Sequence, residues 1–382
     1  MIYLDNAASA GYSNVDDIIV DTITTAMRNS WQNPSSLYAS KVKDEVNKCR
    51  DNVAKFINAE PDEIYFTSGS SEANSWVVRS WVNQMMMTSL QIRNIITTPI
   101  EHKSIMKSVE SKTLAAYVQY CEVDGYGLVD LKHLESLLKM CQYEPILVSI
   151  CMANNEIGTI QNIKEISDLV HKYGGILHTD ATQAFGHIPI DVEELDIDLM
   201  SCSGHKVSPV LKGIGFLYKK NGINIQPLIY GSQEQGLRGG TTNTFSIIGL
   251  SKALEYCDVS KENIDEMCAK RDYFINHLES KFNCKLNGHR EQRLSNNINV
   301  TFPQNITGES LLYMLDMSGI QVSTGSACNS TSIESSHVLK SIGLNDDSAM
   351  KTIRISLSDD ITYEDIDFSL GEIEKCLTLI ES

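Results

Sequence analysis

A lysine that could react with a carbonyl compound ends the run Ser201-Cys-Ser-Gly-His-Lys206. The run closes a short hydrophobic stretch, residues 197–200, which predicts a strand. Because little other charge surrounds Lys206, its amine could be desolvated, and desolvation favours the neutral form that attacks carbonyl groups and holds a Schiff base. On its own such a motif is more often a surface turn with an ordinary lysine.

Two other stretches supply groups that could act with this lysine. Asp180 follows a hydrophobic strand pattern, where its carboxylate could pair with a protonated ring nitrogen or simply cap a helix. Thr67-Ser-Gly-Ser-Ser-Glu72 places Ser70 and Ser71 at a predicted helix start, which suits a phosphate group, although a plain N-cap is the alternative. A lysine, an acid and a helix N-terminus are together what pyridoxal phosphate (PLP) requires.

Three further residues are candidates with weaker signals. His102 could stack on a flat ring or move protons near neutral pH, although a lone histidine is more often structural. Asn155 could bind a phenolic oxygen or a carboxylate, or satisfy a turn. Cys328 lies in the small, polar stretch 325–332, which predicts an accessible loop and makes the thiol a candidate nucleophile or an ordinary loop cysteine.

The elements that must position these residues alternate between apolar strands and amphipathic helices. Strands are predicted at 63–66, 94–98, 145–150, 176–179 and 213–218, and helices at 42–57, from about 72, and at 163–173. This alternation is typical of an α/β protein with a largely parallel sheet covered on both faces. Ligands bind beyond the carboxyl ends of such strands, where the polar clusters fall, so one composite site is expected.

Composition narrows the class of protein. The chain has 382 residues, enough for about two domains, and contains 42% hydrophobic and 21% charged residues. Its net charge of −17 argues against direct binding to nucleic acid or to an anionic membrane, and it permits docking to basic partners. The absence of a long apolar run or a secretory signal predicts a cytoplasmic location. Ten cysteines without a C-x-x-C pair predict neither a metal site nor a disulfide framework.

Taken together, these motifs resemble those of the cysteine desulfurases of the NifS/IscS type (group I), in the aminotransferase class V family of PLP-dependent enzymes. The resemblance runs from residue 3 to about residue 366. Its markers are Tyr3-Leu-Asp-Asn-Ala-Ala8, Gln32-Asn-Pro-Ser-Ser36, Thr67-Ser-Gly-Ser-Ser-Glu72, Glu101-His102, Asn154-Asn-Glu-Ile-Gly158, Asp180-Ala-Thr-Gln183, Ser203-Gly-His-Lys206, Arg238-Gly-Gly-Thr241, Gly325-Ser-Ala-Cys328 and Ile353-Arg-Ile-Ser356.

The resemblance implies a type I PLP-dependent transferase (aspartate aminotransferase-like) fold. It implies a large PLP-binding domain at 15–255 and a smaller α+β domain formed by 1–14 and 256–382, which carries the Cys328 loop and Arg354. It assigns catalysis to Lys206, Cys328 and His102. It assigns PLP binding to Ser70, Ser71, His102, Asn155, Asp180, Gln183, Ser203, His205, Lys206 and, from the second subunit of a homodimer, Thr241. It assigns the substrate to Asn33, Asn155 and Arg354.

The implied activity is removal of sulfur from L-cysteine, giving L-alanine and a persulfide on Cys328. The sulfur would then pass to an acceptor or scaffold protein in iron–sulfur assembly, tRNA thiolation or sulfur modification of DNA. Two alternatives stay open. One is a selenocysteine lyase, in which Cys328 would matter less, and the other is a PLP-binding regulatory subunit without turnover. The intact set of Lys206, Asp180, Arg354 and Cys328 argues against the second.

Overall fold

The computed structural model describes residues 1–87, 94–110, 118–141, 143–324, 328–329, 332–333 and 335–381. Its strands are β1 (Ile2–Tyr3), β2 (Ile64–Thr67), β3 (Asn94–Thr97), β4 (Val118–Tyr120), β5 (Ile146–Ser149), β6 (Ile176–Asp180), β7 (Leu199–Ser203), β8 (Gly215–Lys219), β9 (Lys285–Leu286), β10 (Asn297–Thr301), β11 (Ile320–Gln321), β12 (Ser323–Thr324), β13 (Cys328–Asn329), β14 (Ser332–Ile333) and β15 (Thr352–Ser356). Its helices are α1 (Asn14–Asn29), α2 (Ser40–Phe56), α3 (Ser70–Met87), α4 (Lys103–Val109), α5 (Leu131–Cys141), α6 (Ile163–Lys172), α7 (Thr244–Leu254), α8 (Lys261–Phe282), α9 (Gly308–Met317), α10 (His337–Ser341), α11 (Asp346–Met350) and α12 (Tyr363–Glu381).

Seven strands form the central sheet in the order β2-β8-β7-β6-β5-β3-β4. Strand β8 runs antiparallel to both of its neighbours, and the other six strands run in one direction. The carboxyl ends of those six strands therefore share one edge, which is where the sequence predicts the composite site. The largely parallel α/β sheet is confirmed, while the reversed direction of β8 was not predicted.

Both faces of the sheet are buried, and successive residues along a strand enter different cores. In β5, Leu147 belongs to the core that includes residues of α3 and α4, and Val148 belongs to the core that includes residues of α2 and α7. In β7, Met200 belongs to the same core as Val148, and Leu199 belongs to the same core as Leu147. This alternation follows from the two-residue repeat of a strand, and it explains why these strands read as continuous apolar runs.

A second core is built mostly from the C-terminal third of the chain. The antiparallel sheet β12-β15-β10-β9 packs against α8, α9 and α12, and the core also includes Leu4 near the N-terminus. Strand β1 pairs in parallel with β11, which ties the N-terminal segment to this region. This packing supports the division of the chain into 15–255 and 1–14 with 256–382, which we retain as a proposal.

Within the described ranges, no helix is long and apolar enough to cross a membrane. The same ranges contain no group of three or more His, Cys, Asp and Glu side chains that could hold a metal ion. The nine cysteines whose side chains are described are free thiols, and burial raises the pKa of several of them, including Cys202 and Cys257. Such thiols behave as small apolar residues rather than as nucleophiles.

Candidate functional site

Lys206 ends a short 3₁₀ turn, Gly204–Lys206, that follows β7 directly. Its Nζ donates hydrogen bonds to the carbonyl oxygens of Ala7 at 2.7 Å and Ala8 at 2.6 Å. Burial, and then the charge of Arg354, lowers the pKa of the Lys206 amine from 10.5 to about 8. A large fraction of the amine is therefore neutral near pH 8, and the neutral form is the nucleophile.

The residues before the lysine differ from the predicted arrangement. Ser201 and Ser203 belong to β7 and are buried, whereas the sequence predicted that the strand ends near residue 200. The strand continues because it pairs with β6 on one side and with β8 on the other. The small residues are thus part of the sheet, and only the turn at 204–206 projects from its edge.

Asp180 lies at the end of β6 and is buried. One carboxylate oxygen accepts a hydrogen bond from Asn74 Nδ2 at 2.6 Å, and the other accepts from the amide of Thr182 at 3.0 Å and from the Thr182 hydroxyl. The Asp180 side chain thus makes the predicted capping contact, and its carboxylate is at the same time buried and oriented. Such an acid suits a cationic ring nitrogen.

Asn74 is a site residue that the sequence reasoning missed. It is fully buried on α3, and its amide also donates to Ser104 Oγ at 2.8 Å. It thereby links α3, the start of α4 and Asp180. The available signal was a polar residue inside the otherwise apolar stripe formed by Ala73, Trp76 and Val77.

The predicted phosphate residues gather around the start of α3. The helix begins at Ser70, two residues earlier than predicted, and Ser70 is buried while Ser71 is exposed. Ser203 Oγ lies 2.7 Å from His205 Nδ1, and a methyl group added to Gly69 would lie 3.4 Å from that hydroxyl. Burial lowers the pKa of His205 to about 4, so the ring is neutral at pH 7.

Gly215 explains how the strand and helix approach so closely here. A Cβ atom at this position of β8 would lie 2.6 Å from Gly69 Cα and 2.4 Å from the carbonyl oxygen of Cys202. Neither neighbour is a flexible side-chain end, so no larger residue fits. The pair of glycines brings Ser203 next to the start of α3, which is the arrangement that a phosphate-binding helix N-terminus needs.

His102 and Glu101 lie together beyond β3. His102 caps α4, its Nδ1 accepting from the amide of Ser104 at 3.1 Å, and the surrounding protein lowers the pKa of the partly open ring by desolvation. The sequence reasoning assigned no role to Glu101, which is fully buried; its Oε1 accepts from Thr98 Oγ1 at 2.6 Å, and burial raises its pKa to about 8. In the sequence, only the position of Glu101 directly before His102 indicated that it could belong to the site.

Arg354 is buried in β15 and binds the N-terminal segment. One terminal nitrogen donates to Asp5 Oδ1 at 2.6 Å, and the other donates to the carbonyl oxygen of Asn155 at 3.1 Å. Gln183 Nε2 donates to the carbonyl oxygen of Ala7 at 2.9 Å, the same oxygen that Lys206 contacts. The structure therefore brings Lys206, Gln183 and Arg354 together around residues 5–8.

For the predicted residues Asn33 and Thr241, the described part of the chain shows no hydrogen bond to Lys206, Gln183, Arg354 or residues 5–8. Asn33 is exposed, and its side-chain oxygen accepts from the amide of Ser35 at 3.0 Å. Thr241 is also exposed, in a segment that Arg238 ties to Glu72 at the start of α3 through an ion pair of 2.8 Å. Their predicted contacts with substrate and with PLP stay predictions.

Cys328 begins β13, which pairs with β14 in a two-residue ladder, Cys328 opposite Ile333. The predicted loop thus contains a hairpin, while the Cys328 side chain and residues 325–327 lie outside the described part of the chain. Both flanks of the hairpin reach the site. Ser323 pairs with Arg354, and His337 Nε2 lies 2.9 Å from the carbonyl oxygen of Glu101.

Comparison with known proteins assigns a family to this geometry. The model of the aminotransferase class-V family matches residues 2–368. The chain belongs to this family. A class-V relative, the cysteine desulfurase IscS of Clostridium botulinum strain Hall, is 41% identical over 389 residues, which cover 98% of this chain and 94% of the relative. The family that the sequence motifs predicted is confirmed.

Solved structures agree with that placement. A NifS-like protein superposes with a TM-score of 0.89 at 34% identity and covers 99% of both chains. A structure described as SspA in complex with cysteine superposes with a TM-score of 0.80 at 32% identity, covering 94% of this chain and 99% of the other. The predicted type I PLP-dependent fold is confirmed by these neighbours and by the mostly parallel central sheet.

Proposed function

We propose that this class-V chain is a PLP-dependent cysteine desulfurase that acts on L-cysteine. The activity predicted from the sequence is confirmed by relatives that carry this name over nearly the full length of the chain. The solved SspA structure contains cysteine, which supports L-cysteine as the substrate. In this chain the supporting observation is a desolvated Lys206 at the same sheet edge as the buried Asp180 carboxylate.

The donor set fits PLP, the cofactor of the family. Asp180 would hold the pyridine nitrogen, because Asn74 fixes one of its carboxylate oxygens within a buried site. Ser70, Ser203 and the first amides of the 18-residue helix α3 would hold the phosphate. His102, Asn155 and Gln183 would contact the ring, Ser71 and His205 would assist at the phosphate, and Thr241 would come from a second subunit.

Bound PLP supplies an electron sink that stabilises negative charge at the substrate Cα. The chain supplies the positioning groups and the base. Lys206 Nζ, neutral in a large fraction near pH 8, can accept the Cα proton, with His102 as a second candidate base. Arg354 would bind the substrate carboxylate, assisted by Asn33 and Asn155, because a guanidinium matches a carboxylate in shape and charge.

Cys328 is the proposed sulfur carrier. Its thiolate would attack the sulfur atom of the substrate, forming an S–S bond while the Cβ–S bond breaks. The net change is one sulfur atom moved from L-cysteine to Cys328, and the carbon skeleton leaves as L-alanine. The atoms balance without an external oxidant or reductant.

Replacing the carrier tests the function and separates it from selenocysteine cleavage. With Cys328→Ala we expect L-alanine formation from L-cysteine, measured with dithiothreitol present, to fall by at least about 100-fold. Cys268→Ala, at a half-buried thiol on α8, is the matched control and should stay within about twofold of the parent protein. Full desulfurase activity in the Cys328 variant would contradict the proposal. Selenocysteine cleavage that greatly exceeds desulfuration in the parent protein would favour the lyase.

We propose the homodimer that the family resemblance implies, and several exposed apolar side chains support it. Leu37 and Tyr38 are each 94% exposed and Tyr230 is 83% exposed. Leu37 and Thr242 line an open cavity of about 420 Å³, next to Thr241. A second copy covering this surface would bury it and would receive Thr241. Sedimentation should give twice the 42.5 kDa chain mass, and a 42.5 kDa species at micromolar concentration would contradict the dimer.

Transfer of the Cys328 sulfur to an acceptor or scaffold protein completes the proposal. The net charge of −17 favours an acceptor with a basic docking surface. The acceptor can be identified by following ³⁵S from L-cysteine through the parent protein and through Cys328→Ala. Label that reaches the same acceptor in both would exclude Cys328 as the carrier. A cytoplasmic location also stays a prediction.

A further inference from the structure

Asp5 occupies a place in the site that the proposed reaction does not explain. Its carboxylate lies 2.6 Å from the Arg354 guanidinium, so the arginine proposed to bind the substrate carboxylate already has an anionic partner within the chain. The Asp5 side chain keeps 23% of its surface exposed, against 8% for Arg354. The Asp5 side chain is therefore more accessible to solvent than that of Arg354.

The backbone fixes Asp5 in this place. Leu4 accepts a hydrogen bond from the amide of Ser356 at 2.8 Å, and the amide of Ala7 donates to Ser356 Oγ at 2.8 Å. Asp5 itself bridges to Ser356, two residues beyond Arg354 on β15. The segment that carries the carboxylate is thus bound to the strand that carries the arginine.

The guanidinium is only partly satisfied by this pair. Its terminal nitrogens bind Asp5 and the carbonyl oxygen of Asn155, while its buried Nε has no hydrogen-bond partner among the described residues. A buried donor without a hydrogen-bond partner is energetically unfavourable. Asp5 thus orients Arg354 and leaves the hydrogen-bonding capacity of the buried Nε unused.

We propose that Asp5 is a specificity-determining residue that selects amino acids with one carboxylate over those with two. The proposal rests on the proposed role of Arg354 in binding the substrate carboxylate. Asp5 neutralises part of the Arg354 charge, so a single carboxylate is attracted at close range, whereas a second negative group meets the Asp5 carboxylate. L-cysteine carries one carboxylate and an uncharged thiol below the pKa of that thiol, and it satisfies this condition.

Binding of two amino acids that lack a thiol tests this selection without relying on turnover. Dissociation constants for L-alanine and L-aspartate are measured by titration calorimetry on the full chain with its cofactor. In Asp5→Asn, which keeps an oxygen acceptor but removes the charge, the L-aspartate to L-alanine ratio of dissociation constants should fall about tenfold. Asp5→Glu, which restores the carboxylate, should return that ratio to within about threefold of the parent value.

The matched control is Asp347→Asn, which removes an exposed carboxylate paired with Lys351 at 2.8 Å. This variant should leave the ratio of the two dissociation constants unchanged. A general loosening of the site should also leave that ratio unchanged, because it would weaken the binding of both amino acids equally. An unchanged ratio in Asp5→Asn overturns the proposal, and Asp5→Ser takes its place if that variant does not fold. If neither ligand binds the parent protein, the proposed role of Arg354 fails instead.

Discussion

Lys206 is half-buried and Arg354 is buried, and both bind the same N-terminal segment but with different kinds of hydrogen-bond partner. The lysine amine contacts two carbonyl oxygens, and its pKa falls to about 8. The arginine receives a full carboxylate from Asp5. The amine that we propose to react in its neutral form thus has carbonyl oxygens as its hydrogen-bond partners, whereas the guanidinium that we propose to bind a substrate carboxylate is paired with a carboxylate of the chain itself.

The largest expected effect comes from removing the Lys206 amine. In Lys206→Ala we expect L-alanine formation from L-cysteine to fall by at least about 1000-fold, because the nucleophilic amine and the base are lost together. The control is Lys164→Ala, an exposed lysine on α6 paired with Asp168, which should stay within about twofold. More than a tenth of the parent rate in Lys206→Ala would mean that this amine is not essential.

An effect of intermediate size measures the cost of burying the lysine charge. Between about pH 8 and 10.5 the unfolded chain holds the Lys206 proton and the folded chain does not, so this group makes the free energy of unfolding rise with pH. Relative to Lys206→Met, the cofactor-free parent protein should gain about 2–3 kcal/mol from pH 7 to 10.5, measured by urea unfolding. A constant difference between the two proteins would show an unshifted lysine.

The smallest expected effect tests whether the planar guanidinium of Arg354, and not only its charge, is needed. Arg354→Lys keeps the charge but loses the planar guanidinium, so KM for L-cysteine should rise about 10- to 30-fold while kcat changes less than about threefold. Arg290→Lys, at an exposed pair with Glu279, serves as the control. A loss confined to kcat would place Arg354 in the chemical step rather than in substrate binding.

Sequence periodicity predicted the sheet edge and the order in which Asp180 and Lys206 reach it. Apolar strands buried on both faces leave a clear pattern, and in parallel strands the carboxyl ends must meet. The pattern was less informative where pairing extends a strand through polar residues. β7 extends through Ser201, which pairs with both β6 and β8, to Ser203, which pairs with β8, and no local signal in the sequence records this pairing.

Contacts between distant parts of the chain were beyond sequence reasoning. Asp5 and Arg354 are separated by 349 residues, and their pairing depends on how the N-terminal segment binds β15. Asn74 likewise contacts Asp180 across 106 residues, and only its polarity within an apolar stripe hinted at a role. The motif resemblance suggested the residue roles that we propose, whereas the structure showed the partners that orient those residues.

The short chain segment between β12 and Cys328 limits how far from β12 Cys328 could deliver sulfur in the proposed transfer. Cys328 follows Thr324, the last residue of β12, by four positions, 328 − 324, and β12 is paired with β15 at Arg354. A chain extends at most about 3.3–3.6 Å per residue, so the Cys328 Cα can lie no more than about 14 Å from that of Thr324. In the proposed transfer, the acceptor atom must therefore come within that distance of the Thr324 Cα, with a few ångströms added for the Cys328 side chain. An acceptor whose receiving atom cannot approach so closely could not take sulfur from Cys328.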